Sequence, residues 1–223
     1  MVNWNILFEK LNIDENSVVL EKTSIKNDNI LKHLSGAMIP KTHIYIRSDV
    51  DDRFKEYIQA HELCHHYLIF NLGYYFYYNE EETKDPLCSL IMSFSHHFTI
   101  DNILKRCGFN VKEWHYKQYQ NCKRSALNGF TSNLDAVGKS LNLIESDFWL
   151  ENDCINKLKN LFIKHCDSCA DVFKFATTDF SKLKDNDKIF EAEGSMEILK
   201  SLHNALNLPP AQMYCMKVYK EDI

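Results

Sequence analysis

Tyr57-Ile58-Gln59-Ala60-His61-Glu62-Leu63-Cys64-His65-His66 is the stretch on which the reading of this chain turns. It contains His-Glu-x-x-His. Residues four apart on a helix lie one above the other on the same face, so His61 and His65 can point ring nitrogens at one metal ion. Glu62 stands one step round the helix. It is too close to join them as a third ligand and well placed to take a proton from an attacking water. Two histidines, an open coordination position and a glutamate base are the parts of a zinc hydrolase. At this composition a chance His-Glu-x-x-His is expected roughly 0.03 times. The setting agrees with the motif: Phe54, Tyr57, Ile58, His61, Cys64/His65 and Leu68 recur at helical spacing, which puts both histidines on the inward-facing stripe. The plainer alternative is a pair of core histidines hydrogen-bonded to their neighbours. Two buried imidazoles on one stripe need polar partners, and a shared metal would supply one.

Upstream, Thr42–Arg47 alternates like a half-buried strand, and Asp49, Asp51 or Asp52 can cap a helix from about Asp52 to Leu72. A strand, a short acidic turn and a His-Glu-x-x-His helix is the layout of a small zincin core, with a sheet edge beside the active-site helix. His43 lies in that strand and reads as a surface residue before a cleft residue. Nearer the start, residues 1–12 read as a short amphipathic helix and Val18–Leu20 as a strand. Residues 26–42 read as irregular or weakly helical, with Gly36 and Pro40 as breakers.

Downstream, residues 73–86 read as a loop, first aromatic and then acidic. Leu87–Cys107 reads as a strong helix closed by Gly108, with an apolar stripe of Leu87, Leu90, Ile91, Phe94, Phe98 and Leu104. A zincin draws its third protein ligand from outside the motif, and this helix is the place to seek it. Asp101 comes first, because a carboxylate on an inward line needs a partner. His97 comes second; it could ligate, orient Asp101 or stabilise the oxyanion of a tetrahedral intermediate. One of Glu80, Glu81 or Glu82 comes third. The plain alternative for Asp101 is an exposed helix residue paired with Lys105.

The segment Ile44-Tyr45-Ile46 … Phe54-Lys55-Glu56-Tyr57-Ile58-Gln59-Ala60-His61-Glu62-Leu63-Cys64-His65-His66 resembles the ImmA/IrrE family of bacterial and phage zinc metallopeptidases. That family has a strand, a short charged turn and a helix bearing Ala-His-Glu-Leu-Gly-His; Cys64 stands where the Gly is usual. The resemblance covers about residues 42–72 and implies zinc on His61 and His65 with Glu62 as base. It also implies a protein substrate, with a separate helix-turn-helix repressor as a candidate. The family's Ala-Asn-x-Phe-Ala-type helix is replaced by Ser93-Phe94-Ser95-His96-His97 … Asp101.

The remainder reads as helical. Residues 109–131 are a helix or an aromatic connection, Leu134–Leu143 and Glu151–Lys164 are helices, residues 181–195 a polar linker, Met196–Leu206 a helix and Met213–Tyr219 a last strand. Cys166-x-x-Cys169 lacks a second ligand pair at suitable spacing, so a structural metal or redox role is disfavoured. The chain has 223 residues, 45% hydrophobic, with a formal charge of -5, and Gly and Pro number only 6 and 4. These values suit a compact, mainly helical protein and give no general nucleic-acid or membrane surface. No run of 18 apolar residues occurs, and Met1-Val2-Asn3-Trp4-Asn5 does not open a signal peptide. The eight cysteines therefore read as reduced thiols in a cytoplasmic protein.

The expectation is an α+β, mainly α chain. Residues 1–110 would form a zincin-like metallopeptidase domain and 111–223 a helical region. One Zn2+ would sit on His61, His65 and Asp101, with Glu62 and His97 in catalytic roles. The rival expectation is a zincin-fold module that keeps its metal but acts by binding alone.

Overall fold

A computed structural model of the chain describes residues 2–14, 19–23, 36–38, 43–47, 49–72, 75–77, 85–184, 188–208 and 214–216. It is mainly helical, with small sheets. The chain forms two compact units that interleave in sequence. The first draws on Met1–Tyr75, Ile100–Val111 and Met216–Ile223; the second draws on Phe76–Thr99 and Lys112–Cys215.

The first unit opens with α1 (Trp4–Leu11), started by the Asn3 side chain, which accepts from the Ile6 N–H at 3.1 Å, and ended by Asn12 in the left-handed region. Three strands follow: β1 (Val19–Thr23), β2 (Gly36–Met38) and β3 (His43–Arg47). β3 lies in the middle, parallel to β1 and antiparallel to β2. Ile44 and Ile46 alternate into the core as the period-2 pattern requires. β2 corrects the irregular reading at residues 36–38, where Gly36 pairs with Ile46 instead of breaking the chain; the rest of 26–42 lies outside the described residues. The side chain of His43 lies outside the described residues.

Against β2 and β3 packs α2 (Asp52–His66), the motif helix. Asp51 caps it, accepting from the Arg53 N–H at 3.1 Å. Its inward stripe is Phe54, Tyr57, Ile58, Ala60, Leu63 and Cys64. At Tyr67–Asn71 the helix widens into a π turn, closed by a bond from the Leu72 N–H to the Tyr67 carbonyl at 3.1 Å. The Asn71 amide then donates to the Leu11 carbonyl at 3.0 Å, tying the end of this segment to α1.

Short strand β4 (Tyr75–Tyr77) pairs with β5 (Tyr214–Met216). The helix α3 (Pro86–Arg106) begins where Asp85 accepts from the Leu87 N–H at 2.8 Å. It ends at Gly108, whose φ of 87° suits glycine, with the Phe109 N–H returning to the Leu104 carbonyl. Of the predicted stripe, Ile91, Phe94, Phe98 and Leu104 are buried, and Leu87 and Leu90 are half-buried.

The second unit continues with α4 (Val111–Asn128), α5 (Asn133–Leu150), α6 (Cys154–His165), α7 (Ser168–Lys184) and α8 (Ala192–Ala205). α5 runs seven residues beyond the predicted Leu143, and α7 and α8 take in much of what reads as linker. Gly138 on α5 lies against Leu90 of α3, 3.4 Å from where a Cβ would stand. Gly194 on α8 is more constrained, since a Cβ would fall 2.0 Å from the Lys188 carbonyl oxygen. The core of this unit is rich in aromatic residues: Phe98 meets Phe94, Phe148 and Phe180, and Phe162 meets Phe130 and Phe173.

Phe162 is fully buried. Phe162→Ala removes its contacts and leaves a cavity, so a loss of about 3–5 kcal/mol is expected in urea unfolding followed by circular dichroism.

Candidate metal centre

The geometry of the site begins on α2. Tyr57, His61 and His65 occupy successive turns of one face, with the Tyr57 and His61 rings stacked at 5.9 Å and those of His61 and His65 edge-on at 4.8 Å. The two histidines and Glu62 are half-buried, whereas Cys64 is fully buried. Burial pushes the Cys64 thiol well up from its ordinary range, and the nearby Cys107 and Asp101 add to the effect. Cys64 is therefore a neutral thiol at neutral pH, packed as a small apolar residue.

Asp101 is buried, as its place on the inward line requires, and its carboxylate accepts from the Tyr57 hydroxyl. The inference that Asp101 needs a partner thus holds, but the partner shown is a phenol on the motif helix.

His97, one turn before Asp101 on α3, is the residue that joins the motif. His61, His65 and His97 each offer one ligand atom, and these atoms lie within 4.8 Å of one another. Among the described residues this trio is the group that could hold a metal ion, and Asp101 stands outside it. The geometry brings together the second-choice ligand, His97, with the two motif histidines. Glu80, Glu81 and Glu82 lie outside the described residues.

Two contacts within the second unit fix the His97 ring. Its Nδ1 lies 2.6 Å from Glu145 Oε1, and its Nε2 lies 3.1 Å from Ser93 Oγ. Glu145 is only 3% exposed, so its charge is met inside the protein. An ionised carboxylate can only accept, which places the proton of a neutral His97 on Nδ1 and makes Nε2 the acceptor for Ser93. A carboxylate behind a histidine whose other nitrogen faces a metal is a recurrent device for orienting metal ligands. Three imidazole nitrogens are also a donor set that suits zinc with one position left open. The residues present therefore fit the ion that the motif implies.

Sequence reading missed Glu145, Ser93 and Tyr57. A signal for Glu145 existed: it lies four residues after Leu141 and four before Trp149, an acid on an apolar helical line. Truncating the predicted helix at Leu143 hid that line.

Cys166 and Cys169 are buried free thiols outside any metal-binding group of the described residues. Burial, first of all, pushes Cys169 up to about 12, which leaves it protonated and unreactive at neutral pH. No helix of the described residues is long and apolar enough to cross a membrane.

No family model matches the chain, and comparison with curated proteins and with solved structures likewise finds no match.

Two outcomes follow from this geometry. Elemental analysis after loading with zinc should find the metal lost from His61→Ala, His65→Ala and His97→Ala and kept by Asp101→Ala. Tyr57→Phe, which deletes a donor to a buried carboxylate, should cost about 1.5–3 kcal/mol in chemical denaturation while metal content stays at the wild-type level.

Proposed function

We propose that the chain is a zinc-dependent metallopeptidase of the ImmA/IrrE type, cutting a peptide bond of a protein substrate. The observation that carries the proposal is that His97 stands within ligand distance of both histidines of a His-Glu-x-x-His helix. A small sheet packed beside that helix is the setting a zincin-like core would need.

His61, His65 and His97 would hold the ion. Zinc bound there supplies Lewis acidity, lowering the pKa of water towards about 7 and polarising a carbonyl. Glu62, one residue on from the first ligand, accepts the proton of the attacking water and passes it to the departing amine. Holding zinc alone does not need this carboxylate, so its presence beside the first ligand favours chemistry over binding alone. His97, read from sequence as an oxyanion stabiliser or second-choice ligand, becomes the third ligand. Its orientation comes from Glu145.

Three neutral imidazole donors would leave a bound ion its full double charge. That makes a stronger electrophile than two imidazoles with a carboxylate would give. The helical second unit offers surface for recognising the substrate. A helix-turn-helix repressor in the cytoplasm is the candidate target that the resemblance suggests.

The test is Glu62→Gln, which keeps the shape of the side chain and removes the base. Zinc content should remain at one per chain. Cleavage, followed by mass spectrometry on a peptide library or on a candidate repressor, should fall by a factor of about 10²–10⁴. Unchanged cleavage would remove Glu62 from the chemistry. A zinc-loaded wild type without cleavage, whose biological effect survives in Glu62→Gln, would identify a binding module instead.

A further inference from the structure

We propose that Ser93 and Glu145 grip His97 from its two edges in the tautomer that can ligate a metal, with the Ser93 hydroxyl acting as a placeholder on the ligating nitrogen. The proposal rests on the reading of His61, His65 and His97 as a zinc site and assigns two positioning residues to it.

The argument runs through one proton. Buried Glu145 places Oε1 2.6 Å from Nδ1 of His97, and an ionised carboxylate can only accept, so that nitrogen carries the hydrogen. Nε2 is then an acceptor, and Ser93 Oγ, 3.1 Å away, must be the donor. Ser93 precedes His97 by one helical turn, so the hydroxyl and the ring share a face of α3. With both nitrogens engaged, the ring is held in orientation and cannot flip without losing a hydrogen bond at each edge.

The two partners affect metal binding in opposite directions. Glu145 touches the nitrogen that stays protonated, so its bond persists when an ion arrives. Ser93 donates to the lone pair that the ion needs, so its bond must break. Breaking it costs little, because a helical serine ordinarily finds the carbonyl one turn back, here that of Ser89. The Ser93 hydroxyl therefore keeps the site in order while the metal is absent and yields when it binds.

The same three residues have the order of a nucleophilic serine, a histidine and an acid. In that arrangement Ser93 would be an activated nucleophile, and a fluorophosphonate probe would label it in zinc-free protein. On the placeholder reading it is not labelled.

The deciding experiment measures zinc affinity of the full chain by competition with a chromophoric chelator, together with 15N NMR of the His97 ring in zinc-free protein. Ser93→Ala should bind zinc about two- to tenfold more tightly, the reach of one released hydrogen bond. Glu145→Ala should bind about 10–100-fold more weakly. Glu145→Gln, which keeps the volume and an acceptor oxygen, should fall between it and wild type. The NMR spectrum should show Nδ1 protonated in wild type and a tautomer mixture in Glu145→Ala. Weaker binding in both Ser93→Ala and Glu145→Ala would mark simple packing damage and overturn the proposal, as would labelled Ser93 or a ring protonated on Nε2. Wild type that binds zinc while both alanine variants match it overturns this proposal alone. Wild type that binds no zinc overturns the underlying site as well.

Discussion

A carboxylate buried as deeply as Glu145 must be met by a donor, and the donor here is the Nδ1 of His97. That one contact imposes several others. α5 has to run on through residue 145 to present the acid, so the helix extends to Leu150. It has to lie close to α3, and Gly138 does stand beside Leu90 there. His97 is then held with its second nitrogen turned away from Glu145, towards Ser93. The aromatic packing of Phe98 against Phe148 and Phe180, one residue further along α3, supports the same stretch of helix from its buried side. A polar contact of this kind adds little to stability by itself, because both groups leave water to make it. Its effect is to select one arrangement of the ring.

The motif half of the site is legible in sequence because it depends only on helical periodicity. Four residues make about one turn, so His61 and His65 face together wherever a helix forms. The third member depends on packing between elements far apart in the chain, which no local pattern encodes. Burial of Asp101 can be read from its place on the stripe of α3, but its partner cannot, because Tyr57 is 44 residues away. The reasoning that a buried carboxylate needs a partner is sound there and again at Glu145. At Asp101 the partner is the Tyr57 hydroxyl.

The errors in the fold have equally local causes. Glu145-Ser146-Asp147 interrupts the apolar run of α5, so periodicity alone ends the helix early. Gly36 reads as a breaker, yet it lies in β2 and pairs with β3. The long helices α2 and α3 survive sequence reading best because their stripes are continuous and their ends carry capping residues, Asp51 and Asp85 at the starts and Gly108 after the second.

The π turn at the end of α2 has a bearing on how this chain tolerates change in length. One such turn is equivalent to a single residue inserted into an α-helix, and each residue advances the helix by about 100°. Without that insertion, α2 would continue as plain helix past His66, and Asn71 would swing away from the Leu11 carbonyl that it now holds. The turns that carry His61 and His65, lying upstream, would keep their alignment. The bulge thus separates two requirements on one helix. Upstream of the bulge α2 packs on β2 and β3, and downstream the distal end is free to be phased to α1. Gain or loss of one residue between 67 and 71 would shift the anchoring of α1 and leave His61 and His65 in register.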